Sequence, residues 1–396
     1  MKPLAGLLVA DFSRVLAGPM ASMVLADLGA TVIKVERAGT GDDTRSWGPP
    51  FTDRATAYFE SVNRGKASVV LDLDDPVERA AAARLAGRAD VLIENFGPGR
   101  LASRGLDYAS VRAINPGVVY CSISGFGAGA ALPGYDFIVQ AVGGLMSITG
   151  GAGPTGEPTK VGVACVDVLT GKDAVIGIQA ALSVRAQTGE GQLVEVNLLS
   201  SLLGGLVNQA ANASLGYEPQ RLGNRHPSIA PYETLHCADG ELAVACGNDL
   251  QFARLTAAIG VPGLSDDPRF RRNPDRVANR AVLVEALEQA LSRDSVASWA
   301  ECLATAGVAS GAVGTVSDGL SLAERLGLAP LFSPGPGYLP QVRHPVSYSG
   351  FEATAHLPPP DLGAHTNQVL AWLAGPDDGP MPEFDSPTHL NRPEGR

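Results

Sequence analysis

Short apolar runs alternate with segments of helical periodicity along the first half of the chain. Residues 6–10 and 30–36 have the pattern of buried strands, and a helix over 20–28 between them ends at Gly29. The alternation continues with strands at 68–71, 90–94, 118–122 and 192–197, and with helices at 76–86, 108–115 and 171–187. Strands joined by helical crossovers predict an open, doubly wound α/β sheet.

The pattern changes after Gly216, which follows a predicted apolar helix over 198–215. An Asp239-Gly240 turn separates two strands near 232–236 and 241–246, and a largely helical stretch then extends to about residue 324. From Tyr338 the chain returns to strands and loops, with a helix at 365–374 and an irregular tail over 375–396. We predict three segments: a large domain over 1–215, a small α+β domain over 216–335 and a C-terminal return to the large domain over 336–396.

Composition restricts the class of protein. A length of 396 residues favours two domains, and a net charge of −11 argues against a nucleic-acid partner. The five cysteines form no CxxC pair, which is typical of reduced thiols in the cytoplasm. Asp11 interrupts the first apolar stretch, so we expect a strand there and not a signal peptide. No run supplies the ~20 apolar residues of a membrane span.

Asp167 lies in a run of small and apolar residues, 158–171, where a carboxylate is costly to remove from water without a partner or a task. One interpretation is a helix N-cap at the end of a buried strand, since aspartate is a preferred cap. The other is a catalytic carboxylate. We expect Cys165, two residues earlier, to be a core thiol and not a nucleophile.

The first crossover resembles a dinucleotide site in one respect only. Glu36 ends the second strand, where a ribose-binding acid would lie, but the loop after residue 10 has a single Gly18 in place of Gly-x-Gly-x-x-Gly. A nicotinamide oxidoreductase is therefore disfavoured. The loop 94–100 could present backbone N–H groups to an anion, and Arg37 and the segment 63–66 could supply cations for phosphates. Each of these also fits an ordinary turn or solvated surface charge.

Taken together and in order, several segments resemble the family III CoA-transferases, the CaiB–BaiF family. The segments that carry the resemblance cover nearly the whole chain: 15–19, 28–36, 63–66, 94–99, Gly134-Tyr135-Asp136, 163–171, 189–192 and 362–366. The resemblance implies a large Rossmann-like domain built from both chain ends, a small middle domain and an interlocked homodimer. It also implies acyl-CoA and a small carboxylic acid as substrates, with no tightly bound cofactor and no metal.

In the transferases of this family, the residue matching Asp167 is the nucleophile that forms an aspartyl anhydride and then an enzyme–CoA thioester. Tyr135 matches a second catalytic position. The resemblance implies that the loop 15–17 lines the thioester and offers N–H groups to an oxyanion. The implied CoA contacts are Val15, Leu16, Ala17, Arg37, Asn95, Phe96, Gly97, Arg100 and Arg104.

Two other functions stay open. An α-methylacyl-CoA racemase would carry histidine where this chain has Tyr135, and a neutral tyrosine with a pKa of ~10 is a poor base. A non-catalytic CoA-binding protein would not need Asp167. Leu16 stands where formyl-CoA transferase has a glutamine, which argues against oxalate or formate. The stretches 134–136 and 160–167 resemble most the family branches that use succinyl-CoA and a small dicarboxylate, and we expect those substrates. His226 lies in the loop 223–227 near the start of the small domain, and it is interpreted as a structural histidine in preference to a residue of the site.

Overall fold

The computed structural model describes residues 2–130, 132–153, 155–354, 357–376 and 379–384. These residues form two compact units. The first comprises the chain up to Leu145, Val161–Tyr217 and the chain from Ala329 onward, and the second comprises Met146–Lys160 and Glu218–Leu328. The division into the segments 1–215, 216–335 and 336–396 stays a prediction. No helix among the described residues is both long and apolar enough to cross a membrane.

The first unit contains a six-stranded parallel sheet in the order β3-β2-β1-β4-β5-β6. This confirms the predicted α/β sheet, and the order is that of a doubly wound fold whose direction reverses between β1 and β4. The strands are β1 (Leu8–Asp11), β2 (Thr31–Glu36), β3 (Lys66–Val70), β4 (Val91–Glu94), β5 (Val119–Ser124) and β6 (Leu193–Asn197).

Helices cover both faces of this sheet. One apolar core lies between the sheet and the helices that include α1 and α7, and a second lies on the opposite face with α3. The helices up to residue 214 are α1 (Ala17–Asp27), α2 (Ala57–Ser61), α3 (Pro76–Arg88), α4 (Tyr108–Ile114), α5 (Asp136–Val142), α6 (Leu145–Ile148), α7 (Cys165–Thr188), α8 (Leu198–Gly205) and α9 (Val207–Ser214).

Two predicted helices differ from the structure. The helix expected from residue 171 begins at Cys165, because a carboxylate from another helix accepts its first N–H groups. The helix expected over 198–215 is broken at Leu206 into α8 and α9, and Val207 at the break has a left-handed φ of 40°. Apolar periodicity alone does not register such a break.

The second unit has a three-stranded antiparallel sheet, β7-β8-β9, whose first two strands form the predicted hairpin. Its third strand falls inside a stretch that the sequence predicted as helical, because Ala-Ser-Gly-Ala shows no alternation of polar and apolar residues. The elements are β7 (Tyr232–His236), β8 (Glu241–Ala245), α10 (Asp249–Ala258), α11 (Asn273–Ala278), α12 (Arg280–Leu291), α13 (Val296–Thr305), β9 (Ala309–Ala312) and α14 (Val316–Arg325).

The C-terminal part of the first unit contains β10 (Leu331–Phe332), β11 (Gln341–Val342) and α15 (Thr366–Ala374). The start of α15 covers the outer edge of β3. The Nδ1 atom of His365 accepts from Ser68 N–H at 3.1 Å, and Thr366 Oγ1 accepts from Val70 N–H at 3.0 Å. After α15, residues 375–376 and 379–384 form no helix or strand. The rest of the predicted irregular tail lies outside the described residues.

Candidate active site

Two loops meet at the carboxyl edge of the sheet, where the strand order reverses between β1 and β4. The loop after β1 leads into α1, and the loop after β4 begins at Asn95. Asn95 Oδ1 accepts from Arg14 N–H at 2.9 Å, and Asn95 Nδ2 donates to the Arg14 carbonyl at 2.7 Å. The amide therefore fixes one loop to the other. Open α/β sheets bind their ligands in this crevice.

A buried ion pair holds the next residue of the first loop. Val15 has a left-handed φ of 72°, which costs a β-branched residue about 1–3 kcal/mol. Its N–H lies 3.3 Å from both carboxylate oxygens of Asp42. Asp42 also pairs with Lys34 at 2.9 Å, and Lys34 donates to the Ser13 carbonyl at 2.9 Å. Burial raises the pKa of Asp42, but Lys34 and Thr44 outweigh it and hold that pKa below its ordinary value.

This contact corrects one expectation. The Val15 N–H is directed to Asp42, so it is not available to an oxyanion. Ala17, the first residue of α1, is different: a helix leaves its first N–H groups without an intrahelical partner. Leu16 and Ala17 are both buried and line the cavity described below. Any oxyanion donors of this loop are therefore those two residues.

Asp167 is the third residue of α7 and neither caps that helix nor follows a strand. The residue that accepts the first N–H groups of α7 is Asp136, at the start of α5. One Asp136 carboxylate oxygen accepts from Val166 N–H at 2.7 Å and from Asp167 N–H at 3.2 Å. The other accepts from Gln140 Nε2 at 2.6 Å. The motif residue Asp136 thus holds the backbone from which the Asp167 side chain projects.

Burial, and then the negative charge of Asp136, raise the pKa of Asp167 to about 7. A substantial fraction of this carboxyl is therefore protonated at neutral pH. Burial also raises the pKa of the neighbouring Tyr58 to about 12, with help from the charge of Asp167. Burial and Asp136 raise the pKa of the Cys165 thiol. Because the thiolate is the reactive form, this supports the interpretation of Cys165 as an unreactive thiol.

Asp167 lines a cavity of about 580 Å³ in the first unit. Pockets of this size accommodate cofactors and drug-sized ligands. Tyr135, directly before α5 and 60% exposed, lines the same cavity. The other residues expected from the sequence that line it are Val15, Leu16, Ala17, Asn95, Phe96, Gly97 and Arg100.

A second cavity of about 290 Å³ shares Arg14, Phe96 and Arg100 with the first. Arg37 and Arg104 line only this second cavity, so each predicted site residue lines at least one of the two. The guanidinium of Arg14 lies 5.5 Å from the centroid of the Phe96 ring. Three of the arginines also form ion pairs, Arg14 and Arg37 with Asp43 and Arg104 with Asp74.

One group suggested by the sequence, the segment 63–66, lines neither cavity. In the segment 63–66, Arg64 forms a buried pair with Asp27 at 2.7 Å. Lys66 lies 3.1 Å from Asp11, and burial lowers the pKa of Lys66 to about 8. The expectation that this segment supplies cations for phosphates is therefore wrong.

Glu36 is also committed to the fold. Its two carboxylate oxygens each accept from Arg45 at 2.7 Å, and one of them accepts from Ser68 Oγ at 2.7 Å. It is not free to bind a ribose. His226 belongs to the second unit, where its Nδ1 accepts from Ser228 N–H at 3.0 Å, as a structural histidine would. In the described ranges, no group of three or more His, Cys, Asp or Glu side chains could hold a metal ion.

Lys34, Asp42 and Tyr58 are part of the site's surroundings, and the sequence did not single them out. Lys34 carried a usable signal, since a lysine in the centre of an apolar strand requires a buried anion. The sequence does not show which carboxylate pairs with Lys34. Tyr58 lies on the short helix α2, whose five residues give no clear periodicity.

The chain is similar to known proteins over nearly its whole length. It is 41% identical over 386 residues to "Succinyl-CoA:glutarate CoA-transferase" of Mus musculus, covering 96% of this chain and 88% of the relative. It is 41% identical to "Acetyl-CoA:oxalate CoA-transferase" of Acetobacter aceti over 88% of this chain and 90% of the relative. The crystal structure of a CAIB/BAIF family protein from Brucella suis matches with a TM-score of 0.83 and 43% identity, covering 94% and 99% of the two chains.

Residues 4–366 match the model of CoA-transferase family III. This match spans the loop that holds Val15, the Asp136–Asp167 contact and the cover of β3. The chain therefore belongs to CoA-transferase family III.

Proposed function

We propose that this enzyme moves CoA from an acyl-CoA donor to a carboxylic acid, with Asp167 as the nucleophile. The observation that carries the proposal is the position of Asp167 in the wall of a cavity that also contains Tyr135 and the start of α1. A carboxylate with a pKa near 7 is a stronger nucleophile than an ordinary one.

In the first half-reaction, a carboxylate oxygen of Asp167 attacks the acyl carbonyl of the donor. A C–O bond forms and the C–S bond breaks. CoA leaves as a thiolate, and an aspartyl–acyl anhydride remains on the enzyme. The thiolate then attacks the aspartyl carbonyl. This forms an enzyme–CoA thioester and releases the donor acid as a carboxylate.

The second half-reaction reverses these steps with the acceptor acid. Its carboxylate attacks the aspartyl thioester, CoA thiolate leaves, and a new anhydride forms. Attack of the thiolate on the acceptor carbonyl then gives the new acyl-CoA and restores Asp167. Each intermediate is an anhydride or a thioester, so the activation that the donor brings is kept on the enzyme and no nucleotide is consumed.

The surrounding groups have distinct proposed roles. The N–H groups of Leu16 and Ala17 stabilise the oxyanion, and Tyr135 contacts the reacting acyl group. The small and apolar neighbours of Asp167 limit the access of water, which would hydrolyse an anhydride. Asn95 acts through its hold on Arg14.

We propose that CoA occupies the two cavities, which share Arg14, Phe96 and Arg100 in their walls. Phe96 and Arg100 line both and would contact the middle of the molecule. Arg37 and Arg104, at the smaller cavity, would bind its phosphates, for which guanidinium groups are well suited. Val15 and Gly97 line the larger cavity and would contact the part of CoA that lies there.

For the acids, we propose succinyl-CoA as donor and a small dicarboxylate as acceptor. The name of the Mus musculus relative supports a dicarboxylate longer than oxalate. Because the Acetobacter aceti relative is named for oxalate, oxalate is included among the acceptors to be tested. Leu16, in place of a glutamine, favours the longer acid. Rates with succinate, glutarate and oxalate as acceptors decide between them, and transfer only to a long-chain or aromatic acid would contradict the proposal.

We also propose a homodimer, a cytoplasmic location and no tightly bound cofactor. The dimer is supported by apolar side chains that the single chain leaves exposed on neighbouring helices. These include Phe137, Ile138 and Val142 of α5, Ile176 and Val184 of α7, and Leu203 of α8. Sedimentation of the purified chain tests the dimer.

The decisive experiment is intact-mass spectrometry after mixing the enzyme with succinyl-CoA and no acceptor. We expect a gain equal to one CoA less one water, and hydroxylamine followed by peptide mapping should locate the modification at Asp167. Asp167→Asn should bind CoA and form no adduct. Solvent deuterium entering the α-carbon of a branched acyl-CoA, with no adduct, would instead identify a racemase. CoA binding without either reaction would identify a non-catalytic binding protein.

A further inference from the structure

A hydrogen-bonded connection between α5 and α7 stands directly behind the proposed nucleophile. Asp136 is 9% exposed and Gln140, one turn later on α5, is fully buried. Gln140 donates to Asp136 and accepts from Val161 N–H at 2.9 Å, in the segment before α7. Asp136 accepts from the N–H groups of Val166 and Asp167. The segment 161–167, which leads into α7, is thus fixed to α5 at three backbone N–H groups.

This connection changes the electrostatics of the helix start. The first N–H groups of a helix ordinarily stabilise nearby negative charge, which would make an aspartate at its third position a weak base. Here a second carboxylate occupies two of those N–H groups. The carboxyl of Asp167 therefore lies near the Asp136 carboxylate and not near free N–H donors. Asp167 is itself partly buried.

We infer that Asp136 is a positioning residue that orients Asp167 through the N–H groups of Val166 and Asp167 and, by placing its own negative charge at those groups, makes the Asp167 carboxylate more basic and more nucleophilic. The inference rests on the proposed function of Asp167. It assigns to the aspartate of Gly134-Tyr135-Asp136 a task distinct from that of Tyr135, whose side chain lines the cavity.

Among the titratable groups near Asp167, Asp136 is the one whose charge raises the pKa of Asp167. On α2, Tyr58 has a pKa raised to about 12 by burial, so it stays neutral over the relevant range. On α7 itself, burial raises the pKa of the Cys165 thiol. Arg100, Tyr135 and the ion pair of Arg14 with Asp43 at 3.2 Å line the same cavity. A positive charge favours the ionised form of a carboxyl, so the arginines act in the direction opposite to Asp136. The helices α1 and α8 also pack against α7; α8 has no titratable side chain and α1 has only Asp27, which is paired with Arg64.

The test is the pH dependence of single-turnover formation of the enzyme–CoA adduct, from about pH 5 to 9. In the wild type the rate should rise with a midpoint near 7. Asp136→Asn keeps an oxygen acceptor but removes the charge, so the midpoint should fall by about one unit or more. Gln140→Met is the matched control: it removes the amide contacts and keeps the charge. Its rate should fall without a lower midpoint.

An unchanged midpoint in Asp136→Asn, with only the amplitude reduced, would overturn the inference and leave Asp136 as structural. If Asp136→Asn does not fold, Asp136→Ser replaces it, because a hydroxyl also accepts and carries no charge.

A second measurement separates this inference from the proposed function. The difference in Tm between each parent and its Asp167→Asn derivative, followed against pH, reports the titration of Asp167 without any chemistry. Its midpoint should be lower when the parent is Asp136→Asn than when the parent is the wild type. Absence of an adduct in the wild type would contradict the proposed function alone, while equal Tm midpoints would contradict the role of Asp136 alone.

Discussion

The side chain of Asn95 pairs with both backbone polar groups of Arg14, accepting from its N–H at 2.9 Å and donating to its carbonyl at 2.7 Å. The same loop is bound from its other side, where the Val15 N–H faces the buried Asp42. A strained residue persists only where its surroundings over-determine it. The two contacts together hold Val15 in its left-handed conformation and present the start of α1 to the cavity.

Asn95→Ala should lower kcat/KM by about 10- to 100-fold, because the loop loses both bonds to Arg14 and the donors at Leu16 and Ala17 shift. The stability loss should be about 1–3 kcal/mol. Asn115→Ala is the matched control, since Asn115 also donates to backbone carbonyls, those of Ala86 and Ala89. It should cost similar stability in urea unfolding and leave kcat/KM unchanged. Equal kinetic losses in the two variants would contradict this account.

The wild-type enzyme should lose activity in mild acid. Because burial and Asp136 raise the pKa of Asp167 to about 7, the anionic nucleophile is present above pH 7 and is lost as the pH falls through that value. The kcat/KM for the acyl-CoA donor should therefore decline about tenfold per pH unit below about pH 6. Initial rates between pH 5 and 8.5 check this. A flat profile down to pH 5 would show that Asp167 ionises as an ordinary carboxyl.

Asp167→Asn should stabilise the folded enzyme at pH 8 and not at pH 4. A carboxyl whose folded pKa lies above its unfolded value destabilises the protein once it is ionised, so the cost begins near pH 4 and is complete above pH 7. Since Asp167 is partly exposed, we expect a gain of about 1–2 kcal/mol at pH 8 and not the full equivalent of the shift. Asp173→Asn on the same helix controls for the loss of one charge. Thermal unfolding at the two pH values measures the difference.

Arg104→Ala should raise the KM for acyl-CoA by about tenfold and leave kcat nearly unchanged, because a phosphate contact far from the reacting carbonyl contributes uniform binding. Arg112→Ala is the control: this arginine pairs with Glu190 at 3.4 Å and lines neither cavity. Steady-state kinetics at varied donor concentration distinguish the two. A fall in kcat with KM unchanged would place Arg104 outside CoA binding.

The strands could be predicted closely from the sequence, because buried parallel strands are continuous apolar runs bounded by polar loops. The start of α7 could not. It depends on a hydrogen bond between Asp136 and Asp167, which are 31 positions apart, and local pattern carries no information about such a contact. Likewise, Lys34 in an apolar strand indicated that a buried anion must pair with it, and only the fold shows that this anion is Asp42.

The residues of the candidate site were predicted from several resembling segments in order, since Asp167 in its apolar run, taken alone, fitted a helix cap better than a catalytic carboxylate. What resemblance did not supply is the direction of each polar group. It left Val15 among the oxyanion donors, whereas the bond to Asp42 removes it. The residue types alone had suggested the segment 63–66 as a source of cations, whereas Arg64 and Lys66 are paired with carboxylates inside the fold.

The cover that His365 and Thr366 place over β3 has a consequence for biosynthesis. Ser68 is synthesised 297 positions before His365, whose side chain accepts from the outward N–H of Ser68. The N–H of Val70 likewise has its acceptor only once Thr366 has been synthesised. Until then, the nascent chain carries an open strand edge, which is a template for pairing with other chains. Premature termination before α15 would make that exposure permanent, so the docking of α15 ends the period in which this strand edge can pair with other chains.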